Sequence, residues 1–145
     1  MKELVKKRAS FRIIGYPVGW TAPKQGIRKG STKRNFYQSP QLKRWQETIR
    51  AQIITKHRPI LEDGPLVVVL TFFIERAQAN KKKPLPIIKP DLDNLIKSTI
   101  DAMKKLVFKD DNVIVDIQAS KRWCNDRYTP HGGKPGVDIA IYRVE

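Results

Sequence analysis

KPDLDNLIKSTIDAMKKLVFKDDNVIVDIQA, residues 89–119, carries two hydrophobic periods in succession. Leu92, Leu95, Ile96, Thr99, Ile100, Met103 and Leu106 recur at three- and four-residue spacing, which predicts a helix over 92–106. Asp93, Lys97, Asp101 and Lys104 fall along another side. From Val113 the period drops to two. Val113, Val115, Ile117 and Ala119 are expected to point inward, with Asp116 and Gln118 outward, as a strand.

Working outward, LVVVLTFFI at 66–74 has the β-branched and aromatic content of a strand. Being apolar on both faces, it is expected at the centre of a sheet, covered on both sides or facing a partner subunit. Ser39-Pro40 reads as a helix start, and Leu42, Trp45, Ile49 and Ile53 form its apolar stripe. That helix should end near His57-Arg58-Pro59. FRIIGY (11–16) and residues 137–144 read as further strands. The order β-α-β-α-β-β predicts one small α+β domain over residues 1–145, with a mixed or antiparallel sheet and two main helices.

Three basic stretches interrupt these elements. Residues 21–35 read as a mobile loop with Lys24, Arg28, Lys29, Lys33 and Arg34. The 76–90 break is longer than usual and carries Lys81, Lys82 and Lys83, with Lys89 near its end. Residues 121–136 form a third basic loop. The formal charge is +15, from 29 Lys and Arg against 14 Asp and Glu, which points to a polyanionic partner such as nucleic acid. Cys124 is the only cysteine, so neither an intrachain disulfide nor a Cys-rich zinc site is available. The N-terminus has no apolar signal core, and no apolar run is long enough for a transmembrane helix. A soluble, cytoplasmic protein without a membrane partner is expected.

Against that basic background, six of the 14 acids fall between Asp91 and Asp116. Each has a plain structural explanation. Asp91 could cap the helix, Asp93 could favour its positive end, and Asp110-Asp111 could be a polar turn. His57 and His131 are isolated and are not read as ligands. Together the aspartates suggest more. Extended geometry at Asp91 would aim Asp91 and Asp93 at one space. A 15-residue helix is about 22 Å long, so Asp110 and Asp111 return to that space only if strand 113–119 runs beside the Asp91 segment. Clustered carboxylates repel unless a cation joins them, and Mg²⁺ suits their hard oxygens. Lys97, one turn beyond Asp93, could serve such a site or simply pair with Asp93.

These residues resemble the signature of the RusA family of Holliday junction resolvases, also called crossover junction endodeoxyribonucleases. The shared features are D-x-D-N opening a helix, a lysine three residues after the asparagine, D-A after it, and D-D before an apolar strand. The resemblance is concentrated in residues 89–118. Lys89-Pro90 stands where some members carry an arginine run, and the connection to the D-D pair is one residue shorter. The resemblance implies a homodimer that binds a four-way DNA junction and cuts two strands symmetrically with Mg²⁺ or Mn²⁺. It implies Asp91, Asp93 and Asp111 as metal-binding catalytic carboxylates, with Lys97 as supporting lysine and Asp110 secondary. Strand 66–74 is the expected contributor to the dimer interface. The contrasting possibility is a non-catalytic nucleic-acid-binding module, in which Trp20, Phe36, Tyr37 or Trp123 stack on bases. A related nuclease acting on flaps or RNA is a third.

Overall fold

A computed structural model of the chain describes residues 5–27, 34–56, 59–61, 64–125 and 132–144; of residues 24–27 and 34–36 it describes the backbone alone. Among these residues stand six strands and two α-helices: β1 (Val5–Ile14), β2 (Lys24–Ile27), β3 (Arg34–Tyr37), α1 (Pro40–Ile54), β4 (Leu66–Ile74), α2 (Leu92–Met103), β5 (Ile114–Trp123) and β6 (Gly136–Val144). The main sheet is mixed, in the order β1-β6-β4-β5. Strands β4 and β5 run parallel, and the other pairs are antiparallel. A parallel neighbour needs a crossover connection, and α2 lies in that connection.

Helix α1 follows its sequence signals. Ser39 Oγ accepts the Leu42 N–H at 3.2 Å, Pro40 opens the helix, and Leu42, Trp45, Ile49 and Ile53 are buried. Each such side chain contributes roughly 1.5–3 kcal/mol by leaving water. Buried Gln46 donates to the Ser98 carbonyl at 3.0 Å and ties α1 to α2. Strand β4 is central, as its composition demands, with β6 on one edge and β5 on the other. Leu66, Val68, Leu70 and Phe72 are buried, whereas Val67, Val69 and Thr71 on the other face are half-buried.

Several boundaries differ from the sequence reading. Strand β1 begins at Val5, well before Phe11, because Lys6 and Lys7 can pair with β6 while their side chains reach solvent. The stretch read as a loop over 21–35 contains an antiparallel pair, β2 with β3, which satisfies backbone groups a loop would leave to water. Helix α2 stops at Met103, short of Leu106. Lys104 leaves helical geometry, Lys105 takes φ +67, and the turn returns Phe108 to the core. Strand β5 continues to Trp123, inside the expected third loop. Val115 and Ile117, expected inward, are 63% and 41% exposed. The reason is position: among the described residues β5 is an edge strand, with no strand beyond it to cover its margin.

Candidate active site at the start of helix α2

Asp91 occupies the N-cap of α2 in extended geometry, φ −67 and ψ 145, yet its carboxylate makes no capping hydrogen bond. It faces Lys89, with Nζ–Oδ2 at 3.0 Å in an exposed pair. Such a pair contributes little and is easily exchanged for another cation. Asp93, in the first turn, is exposed and makes no ion pair or side-chain hydrogen bond among the described residues. Asp91 therefore does not cap the helix, and Asp93, although its place in the first turn favours the positive end of α2, is engaged by no side chain among the described residues.

Lys97 does not pair with Asp93 either. Its ammonium lies 3.6 Å from the centroid of the Trp20 ring. The Trp20 backbone is held in turn: its main-chain N–H donates to the Asn94 main-chain carbonyl at 2.8 Å. Two further contacts fix this 17–20 segment against α2. Ser98 Oγ donates to the Val18 carbonyl at 2.6 Å, and Gly19 lies so close to the helix that an added Cβ would stand 3.1 Å from Asn94 Cβ. The result is a cleft of about 510 Å³ that runs from Val18 and Trp20 to Pro90 and Asp91.

Lys121, missed in the sequence reading, orders the other side. From the end of β5 its ammonium donates to the Ile88 carbonyl at 2.8 Å and to the Pro90 carbonyl at 3.0 Å. The signal was a lysine at a helix-facing strand position, paired with buried Phe72, but it is visible only once β5 is known to extend that far.

Strand β5 thus runs beside the Asp91 segment, as required, but brings Lys121 there and not Asp111. Asp111 lies at the opposite end of α2, where Lys104 Nζ stands 3.6 Å from its Oδ2 and 3.9 Å from Asp101 Oδ1. A 12-residue helix separates the two ends by about 18 Å. Among the described residues no three Asp, Glu, His or Cys are grouped to hold a metal ion. Within one chain the expected convergence of Asp111 with Asp91 and Asp93 is therefore not observed. The Asp91/Asp93 pair nonetheless fits the donor chemistry of Mg²⁺, which takes one or two carboxylates and keeps several waters.

Asp110 has a local task. Its Oδ1 accepts the Asp111 N–H at 2.8 Å. Hydrogen bonding to Asp111, through the side chain first and then the backbone, holds the Asp110 carboxyl below the usual range, with Lys104 adding attraction. Asp116 makes no ion pair among the described residues.

The basic stretches divide. Lys81 and Lys82 are exposed, and the carbonyl of Lys83 accepts both Trp123 Nε1, at 2.8 Å, and an Arg76 guanidinium nitrogen, at 3.1 Å. Trp123 is buried and stacked against Arg76, which makes it a wall of the core and not a base-stacking surface. Tyr37 is exposed. Arg28, Lys29, Lys33, His57 and His131, and the side chains of Arg34 and Phe36, lie outside the described residues. Cys124 is buried, and burial followed by the nearby Glu75 pushes its thiol pKa up. No helix among the described residues is long and apolar enough to cross a membrane.

Comparison with known proteins agrees with the signature at the start of α2. A family profile described as Endodeoxyribonuclease RusA matches residues 15–142, nearly the whole chain. The chain belongs to the RusA endodeoxyribonuclease family. One RusA-type relative is the crossover junction endodeoxyribonuclease rusA of Lactococcus phage r1t. It is 32% identical over 105 residues, covering 70% of this chain and 78% of the phage protein. A second relative, named Uncharacterized protein YqaN, from Bacillus subtilis (strain 168), is 28% identical over 146 residues, covering 92% and 95%. The RusA match spans all of β2 to β5 and so includes every candidate site residue named above.

Proposed function

We propose that this RusA-family nuclease resolves four-way DNA junctions by paired, symmetric phosphodiester hydrolysis. Asp91, Asp93 and Asp111 would act as metal-binding carboxylates and Lys97 as the supporting lysine. The observation that carries the reading is the state of Asp91 and Asp93. Both stand exposed at the start of α2, one without its cap bond and the other without any partner among the described residues, in a chain of charge +15. Carboxylates that make no capping bond, placed where they would repel a polyanion, make sense beside a cation.

Mg²⁺, or Mn²⁺ in its place, would be held by Asp91 and Asp93. When bound, it would polarise the scissile phosphate and lower the pKa of a bound water. The chain's own residues do the rest. The Lys97 ammonium, seated on Trp20, is a fixed positive charge one turn from Asp93, suited to the charge that builds on phosphoryl oxygens. Lys121 fixes the approach to Asp91 by holding the carbonyls of Ile88 and Pro90. Exposed Lys81 and Lys82, Lys89, and the basic residues Arg28, Lys29, Lys33 and Arg34 would engage backbone phosphates, with the salt dependence of such contacts.

Asp111 joins this set from a second copy of the chain. Strand β5 starts three residues after Asp111 and carries, two residues before its end at Trp123, the lysine that holds Pro90. Antiparallel pairing of two β5 edges about a two-fold axis sets the start of each strand beside the end of the other. It brings one copy's Asp111 toward the other's Asp91 and covers Val115 and Ile117. On this reading the interface is formed by β5, since both edges of β4 are already paired within the chain. A two-fold dimer also supplies the two sites that symmetric incision needs.

The decisive measurement is cleavage of a four-way junction with Mg²⁺ or with EDTA, run beside Asp93→Asn. Cutting by the wild type in Mg²⁺ alone, with junction binding but no cutting by the variant, is the expected result. Cutting by Asp93→Asn at the wild-type rate sinks the assignment. Magnesium-indifferent binding without nicks would indicate a binding module, and preference for flaps or RNA in a substrate panel would change the substrate class.

A further inference from the structure

The cleft that runs from Asp91 to Trp20 has been assigned no occupant so far. Pro17, Val18 and Pro90 give it apolar walls, and Trp20 adds a broad ring. Gln41, one residue into α1, and Asn94, on α2, place two carboxamides along it. The side chains of both make no hydrogen bond among the described residues. At about 510 Å³ the cleft falls within the roughly 300–1,000 Å³ typical of small-molecule sites.

We infer that this cleft receives one unstacked nucleobase, on the nucleotide adjoining the scissile phosphate, and that Gln41 and Asn94 read its edge. The inference rests on the nuclease reading above. Three features select a base over another occupant. An apolar slot with an indole wall suits a flat aromatic ring, and stacking on an aromatic side chain contributes whatever the base. Carboxamides present a donor and an acceptor together, the pattern that bonds a base edge at two points. The cleft is also continuous with the candidate catalytic residues. Asp91 lines it, Lys89 stands at its rim, and the Lys97 ammonium rests on its indole wall. A base seated there carries its own phosphate to the carboxylates.

The cleft is already shaped in the free chain. The Trp20 backbone N–H is fixed on the Asn94 backbone carbonyl, the Val18 carbonyl on Ser98, and Gly19 packs so closely that a Cβ there would stand 3.1 Å from Asn94 Cβ and 3.2 Å from Pro90 Cβ. No ordering of this wall is needed when DNA arrives, which favours discrimination between bases over adaptation to all of them.

The test uses the full-length protein and four-way junctions that differ only in the base pairs flanking the cut. Wild type should cut one base at one flanking position at least about fivefold faster than the others, the low end of discrimination by a two-point base contact. Gln41→Ala should bring the four bases within about twofold, with thermal stability unchanged. Asn94→Asp, which replaces a donor with an acceptor, should change the favoured base. Equal cutting of all four bases by wild type overturns the inference, as does a preference that survives in both variants. A wild type that cuts no DNA removes the nuclease reading and the base site with it, a result distinct from cutting without preference.

Discussion

The Lys97 ammonium lies 3.6 Å over the Trp20 ring and makes no ion pair with Asp93, four residues earlier on the same helix. The surface pair that spacing suggested would have contributed only about 0.3–0.5 kcal/mol. A cation over an indole contributes a comparable or larger amount and leaves the Asp93 carboxylate unengaged. Lys97 and Asp93 thus stand as neighbouring groups of opposite charge that are not spent on each other.

Lys97→Met should lower junction cleavage by about 100-fold or more, in the range of a lost transition-state charge contact. Junction affinity should change only a few-fold, and unfolding free energy by no more than about 1 kcal/mol. Single-turnover cleavage and denaturant melts measure both. A variant that cuts normally would remove Lys97 from the mechanism.

Asp91→Ala separates a capping residue from a functional one. Loss of a true Asp cap costs about 0.5–2 kcal/mol. Because the Asp91 carboxylate caps nothing here, the variant should lose less than about 0.5 kcal/mol in a urea melt and nevertheless fail to cut. A loss above 1 kcal/mol would mean that the side chain does cap the helix in solution.

Asp93→Asn and Asp111→Asn chains, each inactive alone, should regain activity when mixed. In a heterodimer with sites shared between subunits, one site carries both substitutions and the other carries neither. The mixture should convert a cruciform plasmid to nicked circles, with few linear products. If each site is built within one chain, the mixture stays inactive.

Val115→Lys places a charge on the exposed margin of β5, where Val115 is 63% exposed. Sedimentation should show a shift from dimer to monomer, with the melt of the isolated chain little changed, since the side chain lies outside the core. An unaltered dimer would move the interface elsewhere.

Lys121→Met keeps the alkyl stem and removes two hydrogen bonds from the ammonium to the carbonyls of Ile88 and Pro90. Bonds to a charged donor contribute about 1.5–3 kcal/mol each when well shielded, and this lysine is half-buried, so a loss of about 1–3 kcal/mol is expected. Hydrogen exchange should rise over 86–92, and cleavage should fall with normal junction affinity. Unchanged exchange there would show that Lys121 does not order the segment.

Helices α1 and α2 and strand β4 were legible in the sequence because their signals are local. Ser39-Pro40, the stripe of Leu42, Trp45, Ile49 and Ile53, and the run LVVVLTFFI state their structure within one or a few turns of chain. Asp91 and Asp93 were legible for the same reason, being two residues apart at a helix start. Whether either carboxylate was free was not legible, since a cap and an unused N-cap aspartate look alike in sequence. The direction of β5 was hidden too. A period of two fixes which side chains share a face but not which neighbour the strand pairs with, or in which sense. Only the tertiary pairing of β5 parallel to β4 decided that Lys121 reaches Pro90 while Asp111 stands a helix length away. Local chain chemistry thus determined the elements and the catalytic candidates, whereas long-range strand pairing decided which of them meet.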